Sequence, residues 1–137
     1  RNGALAGIRA DELAGQVLNG LVARHDLDPA EVEDVQMGCV TQIGEQGWNI
    51  GRMAPLVAGW PDTVCGTTVD RQCGSSLQAA FNAATAIRAG ELDVAPINIV
   101  ETTNMRMVLF STSDGSVLLT CSLDGETGIT RSPAPGL

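Results

Sequence analysis

The chain has 137 residues, 8 basic and 16 acidic, with a formal net charge of −8 and one histidine. That length suits a single domain with its own core. The basic residues are scattered arginines, so no nucleic-acid surface is expected, and no run of about 20 apolar residues predicts a membrane span.

The first third of the chain predicts two helical segments. Apolar positions at helical spacing indicate an amphipathic helix from Asp11, which we expect to cap its first turn, to about His25. Asp28, followed by a proline at the first helical position, predicts a short helical turn. Residues 34–40 alternate apolar and polar side chains and predict a strand, which is followed by a loop that contains several glycines.

A helix and then a strand–turn–helix unit follow. Residues 49–58 predict a helix opened by the side chain of Asn49, with Pro55 in its first turns or kinking it. Residues 63–70 are rich in β-branched side chains and predict a strand, and residues 74–88 predict a helix that stops at Gly90. Because this helix is dominated by small residues on every side, we expect it to be buried on more than one side.

The character of the chain changes after residue 95. A strand begins at residues 92–95, and we expect Pro96 to interrupt it. Two apolar runs, residues 107–110 and 117–119, are separated by a turn sequence and predict a weak β-meander. The proline-containing end, residues 132–137, is expected to be a loose tail.

The 4 cysteines are Cys39, Cys65, Cys73 and Cys121. They form no C-x-x-C pair, and with a single histidine the chain lacks ligands for a zinc site, so we expect no metal. The absence of a secretory leader and the few cysteines favour reduced thiols in a cytoplasmic compartment.

Cys73 is the residue whose position suggests chemistry. It lies between the predicted strand and the small-residue helix, where unpaired backbone N–H groups and the helix dipole favour a thiolate. Gly74, Ser75 and Ser76 leave room for a substrate carbonyl, and the Cys73 N–H is placed to help hold an oxyanion. The alternative is that Cys73 is a small buried apolar residue, as expected for Cys39.

Residues 69–79, VDRQCGSSLQA, resemble the nucleophile segment of the thiolase family. Residues 34–40 and 51–61 resemble the second strand and following helix of that family, and the resemblance covers about residues 1–95. It implies an α/β fold that is a partial thiolase-like N-terminal half, layered with a mixed sheet. The family's first, central strand is missing here, which we expect to leave a gap in the sheet.

On this basis residues 1–95 are interpreted as a partial thiolase N-terminal domain and residues 96–137 as an unassigned tail. The tail no longer resembles the family, and two explanations stay open: an out-of-frame or foreign segment, and a divergent insertion.

The resemblance implies an acyl-CoA acyltransferase in which Cys73 attacks the thioester and passes the acyl group to CoA or to an acetyl-CoA carbanion. Coenzyme A thioester is then the substrate, with no permanently bound cofactor, and the full-length parent is a homo-oligomer. The family's acid–base histidine and second reactive cysteine have no counterpart here, since His25 is expected to be solvated and Cys121 lies in an unrelated segment. The isolated chain is therefore expected to be inactive. Two alternatives are a non-catalytic subunit that pairs with a thiolase and a thiol-based redox protein.

Overall fold

The structure, a computed structural model, describes residues 3–101, 104–111 and 117–122, in which helices and strands alternate before three consecutive strands. In chain order the elements are helix α1 (Ala10–His25), a 3-10 turn (Pro29–Glu31), strand β1 (Asp34–Gly38), a second 3-10 turn (Gly44–Gln46), helix α2 (Ile50–Val57), strand β2 (Cys65–Val69), helix α3 (Ser75–Ala89) and strands β3 (Val94–Glu101), β4 (Asn104–Ser111) and β5 (Val117–Ser122). The predicted helices are confirmed to within one residue at each end, and the strand before Cys73 is confirmed but shorter than predicted. Among the described residues, no helix has the length and apolar character needed to cross a bilayer.

The strands form one mixed sheet in the order β2-β1-β3-β4-β5. Strand β1 is parallel to both β2 and β3, whereas β3, β4 and β5 are antiparallel neighbours. The predicted mixed sheet and β-meander are confirmed.

The expected gap beside β1 is absent. Strand β3 pairs directly with β1, although only at Gln36↔Ile97 and Met37↔Asn98. An open strand edge leaves unpaired N–H and C=O groups, and β3 satisfies part of that requirement for β1. The sheet formed by the described strands is therefore continuous.

Pro96 does not interrupt its strand, contrary to the sequence expectation. Strand β3 continues through Pro96, which lies opposite Leu109 of β4. Proline fixes φ at a value that an extended strand accepts, and its missing N–H matters only where a partner needs it. The registered pairs with β1 begin one residue later, at Ile97.

The side chains of β1 alternate between two differently covered faces. Val35 and Met37 join the main buried cluster with α1 and α2, which includes Leu18 and Leu21. The opposite face is covered by α3, where Ala79 and Ala83 pack with Ala95. The chain thus has three layers, with the sheet between the α1–α2 pair and α3.

Helix α3 is buried on one side only, so the expectation of burial on several sides is wrong for this chain. Ser75, Ala79 and Ala83 are its buried residues. Leu77 and Phe81, one helical turn apart on the outer face, are 59% and 56% exposed. Small residues permit close neighbours, but the described residues supply a neighbour only on the sheet side.

Asp11 is not the N-cap residue of α1, but its Oδ1 accepts from the Glu12 N–H of the first turn at 3.0 Å. Arg9 occupies the N-cap position without a side-chain cap, and the Ala10 N–H donates to Glu45 Oε2 at 3.0 Å. Asp11 is buried and accepts hydrogen bonds from Arg9 Nε and Nη2 at 3.0 and 2.8 Å. The Glu45 carboxylate, from the β1–α2 loop, therefore satisfies one further N–H of the helix start, a contact between distant residues that local spacing does not reveal.

Asn49 does not cap α2 either, because its side chain is used by β2. Asn49 Nδ2 donates to the Gly66 carbonyl at 2.7 Å, and its Oδ1 accepts from Thr68 Oγ1 at 2.7 Å. Thr68 Oγ1 in turn accepts from the Gly51 N–H at 2.9 Å. Pro55 lies within the helix rather than in its first turn.

Candidate active site

Cys73 lies in the turn that joins β2 to α3 and is exposed. The N-cap of α3 is Gly74, so Cys73 lies immediately before the helix, between it and β2. Its exposure contradicts the alternative of a small buried apolar residue. The thiol stands at the junction of a parallel strand and the following helix, the edge at which α/β sheets commonly bind ligands.

Backbone hydrogen bonds make the turn compact. The Gly74 N–H donates to the Arg71 carbonyl at 3.0 Å, and the Ser75 N–H donates to the Gln72 carbonyl at 3.2 Å. Gln72 has a φ of 47°, in the left-handed region that non-glycine residues rarely enter. The residue before Cys73 is therefore held in an unusual conformation.

Two side chains complete this turn. Ser75 Oγ accepts from the Arg71 N–H at 2.9 Å and donates to the Gln72 carbonyl at 2.7 Å. Asp70 Oδ1 accepts from the Gln72 N–H at 2.9 Å. The sequence indicated only the small size of Ser75 and no role for Asp70, although an Asp whose carboxylate accepts from the N–H two residues later is a known turn signal.

Gly38 brings the end of β1 against the start of α3. A Cβ at this position would lie 2.3 Å from the Ser76 backbone nitrogen and 2.4 Å from the Ser75 carbonyl carbon. Only glycine allows two backbones to approach so closely. The close contact fixes the helix start, and with it the turn that carries Cys73, relative to the sheet.

Cys39 follows β1 and lies beside the same turn. Its N–H donates to the Val69 carbonyl at 2.9 Å, and its Sγ contacts Gln46 Oε1 at 3.4 Å. Burial raises the pKa of Cys39, and the charge of Asp70 acts in the same direction, against a smaller lowering by a backbone hydrogen bond at Thr41. Cys39 is therefore a poor source of thiolate.

The remaining thiols and the histidine lie elsewhere. Cys65 is exposed at the start of β2 and its Sγ is 3.8 Å from the Thr63 carbonyl oxygen. His25 ends α1, in the layer opposite α3, and is partly buried instead of solvated; burial and then the charge of Arg24 lower its pKa. Cys121 belongs to β5, and residues 132–137, the expected loose tail, lie outside the described residues.

The geometry can be compared with known proteins. A family model described as the thiolase N-terminal domain matches residues 1–108, past the boundary at residue 95. A 3-ketoacyl-CoA thiolase of Psychrobacter arcticus is 48% identical over 101 residues, which are 74% of this chain and 26% of that protein. A steroid 3-ketoacyl-CoA thiolase of Mycobacterium tuberculosis is 53% identical over 94 residues, 69% of this chain and 23% of that protein.

A solved structure has the same fold. The crystal structure of the Bacillus anthracis acetyl-CoA acetyltransferase matches with a TM-score of 0.64 and 36% sequence identity, over 72% of this chain and 27% of that chain. The chain spans about a quarter of the length of the curated relatives it matches.

Proposed function

The chain belongs to the thiolase family, and from this membership we propose that it is part of an acyl-CoA acyltransferase whose acyl acceptor is Cys73. The observation that carries the proposal is the exposed Cys73 thiol at the β2–α3 turn. The substrate class is a coenzyme A thioester, and the parent reaction is the cleavage or synthesis of a 3-ketoacyl-CoA.

In the proposed step, the Cys73 thiolate attacks the thioester carbonyl carbon. A C–S bond to Cys73 forms, the carbonyl becomes an oxyanion, and its collapse breaks the bond to CoA, which leaves as a thiolate and takes a proton. The acyl group then passes from Cys73 to an acetyl-CoA carbanion, which gives the 3-ketoacyl-CoA. Cleavage is the reverse: Cys73 attacks the 3-keto carbon, the acetyl-CoA carbanion leaves and takes a proton, and the acyl group passes from Cys73 to CoA. The Cys73 N–H is proposed to help hold the oxyanion.

This chain alone is expected to stop after acylation. Transfer onward needs a second group that moves protons, and such general acid–base help is typically worth about 10²–10⁴-fold. The chain's single histidine, His25, is in the layer opposite α3. The rest of the catalytic machinery would come from residues outside this chain.

Mass-mapped acylation tests the acceptor. The chain is incubated with acetyl-CoA and digested, and acetyl groups are assigned to Cys73 or to Cys65, the other exposed thiol among the described residues. We expect acetylation of Cys73 well ahead of Cys65 in native buffer, and equal rates in denaturant. Native acetylation of Cys65 at the same rate as Cys73 would refute the role of Cys73.

A thiolysis assay tests the expected inactivity. With acetoacetyl-CoA and CoA as substrates, the chain should show no more turnover than its Cys73→Ala variant. Turnover above that control would mean that a proton-transfer group within the chain has been overlooked.

The outer face of α3 favours a second candidate, a non-catalytic subunit that pairs with a complete thiolase. Leu77 and Phe81 expose apolar surface there, which a protein partner could bury. Size-exclusion chromatography of the chain mixed with a full-length thiolase would give a complex, and Phe81→Ser would weaken it. A chain that elutes alone in both cases excludes this candidate.

A further inference from the structure

The residue before Cys73 is in a conformation that it does not hold by itself. Gln72 has a φ of 47°. In this region the side chain of any residue except glycine meets the backbone, so such residues remain there only when surrounding contacts hold them. Contacts around Gln72 must therefore hold it in this conformation.

Side chains engage both peptide groups of Gln72. Asp70 Oδ1 accepts from the Gln72 N–H at 2.9 Å. Ser75 Oγ donates to the Gln72 carbonyl at 2.7 Å and accepts from the Arg71 N–H at 2.9 Å. Ser75 is only 5% exposed, so its hydroxyl has little access to water and these two bonds satisfy it.

We propose that Ser75, assisted by Asp70, is a positioning residue that locks Gln72 in the left-handed conformation and thereby directs the Cys73 thiol. The inference rests on the proposed role of Cys73 as acyl acceptor. A return of Gln72 to an ordinary negative φ would rotate the chain by roughly 100° about the N–Cα bond of Gln72, the residue before Cys73. The thiol would then leave its place at the start of α3.

A simpler reading is that Ser75 only stabilises the start of α3. The two readings differ in what a glycine at position 72 should do. Glycine enters the left-handed region without steric cost. If Ser75 acts through Gln72, then in the Gln72→Gly background the Ser75 hydroxyl no longer affects the reactivity of Cys73. If Ser75 only stabilises the helix, loss of the hydroxyl slows Cys73 equally in both backgrounds.

The experiment is a double-mutant cycle of the wild-type chain, Ser75→Ala, Gln72→Gly and the double variant. Rate constants for Cys73 are measured with iodoacetamide and with acetyl-CoA. We expect Ser75→Ala to lower both rate constants of Cys73 about 10-fold. The loss should be at most about 30-fold, the factor that two ordinary hydrogen bonds provide. The double variant should react within about threefold of Gln72→Gly. Ser75→Thr, which keeps the hydroxyl, should restore the rate.

Two outcomes would overturn the proposal: no slowing by Ser75→Ala, or the same slowing in the glycine background. Urea midpoints identify variants that fail to fold. For these, Asp70→Ala is tested in both backgrounds with the same expectation; it removes the acceptor of the Gln72 N–H, and the negative charge lost with it is the same in both backgrounds. If acetyl-CoA labels Cys73 in none of the proteins while the iodoacetamide rates follow the cycle, the acyl-acceptor role fails and the positioning role stands.

Discussion

Gly38→Ala tests whether the close contact of β1 with α3 sets the position of Cys73. The new Cβ would lie 2.3 Å from the Ser76 nitrogen and 2.4 Å from the Ser75 carbonyl carbon. Both are backbone atoms, so no flexible side chain can move aside. To restore an ordinary separation of about 3.5 Å, the start of α3 must shift by roughly 1 Å.

The loss of stability should be large because these backbone atoms cannot move aside independently. Overpacking a well-filled site costs about 1–3 kcal/mol, and a clash with two backbone atoms belongs at the upper end. A loss of about 3 kcal/mol is a large share of the stability of a small domain, commonly about 5–15 kcal/mol. The shift also carries Ser75, and therefore disturbs the turn before Cys73.

Gly66→Ala is the matched control. Its Cβ would lie 2.2 Å from the Gly51 carbonyl oxygen, an equal clash on the α2 face of the sheet. Urea titration should show a similar loss of stability in both variants. At urea concentrations where both are folded, only Gly38→Ala should slow iodoacetamide labelling of Cys73, by about tenfold. The reasoning is refuted if Gly38→Ala has the same urea midpoint as the wild type, or if Gly66→Ala slows iodoacetamide labelling of Cys73 as much as Gly38→Ala does.

Three further substitutions test the energetics. Gly20→Ala, in α1, where nothing beyond the adjoining helix backbone lies within 4 Å of the new Cβ, should raise the free energy of unfolding by about 0.5–1 kcal/mol in urea titrations. Hydrogen bonds from Arg9 lower the pKa of Asp11, so its contribution is present above the unfolded pKa and is lost as the pH falls through the folded pKa. Asp11→Asn should therefore destabilise the chain by about 1 kcal/mol at neutral pH and not in acid, and a pH-independent loss would contradict this. Burial raises the pKa of Asp34, against a smaller lowering by a hydrogen bond from Gln36, so stability is lost as the pH rises through the folded pKa. Asp34→Asn should gain about 0.5–1 kcal/mol at neutral pH and nothing in acid, as measured by thermal melts across pH.

The order of the local elements could be predicted because it depends on short-range patterns. The helical spacing up to His25, the β-branched run before Asp70 and Gly90 after α3 each act within a few residues. The prediction for Asn49 failed and that for Asp11 held only in part, because a polar side chain near a helix start has several possible partners. Asn49 donates to Gly66 of β2. Asp11 accepts from Arg9 as well as from the Glu12 N–H, and Glu45 accepts from the Ala10 N–H.

The candidate site was predictable in part for the same reason. The position of Cys73 between a strand and a helix follows from local sequence, and the motif around it indicates the thiolase family. The contribution of Ser75 could not be read from its spacing, because a serine at a helix start is common and its partner depends on the path of the turn.

The sequence by itself determined the family, the βα unit and the thiol at its turn, since these depend on residue types a few positions apart. The tertiary structure alone decided that β3 pairs with β1, that α3 exposes Leu77 and Phe81, and that Gly38 touches the start of α3. Each of these depends on which distant backbone segments meet. Their approach is set by packing and by hydrogen-bond satisfaction across the whole fold, which no local pattern encodes.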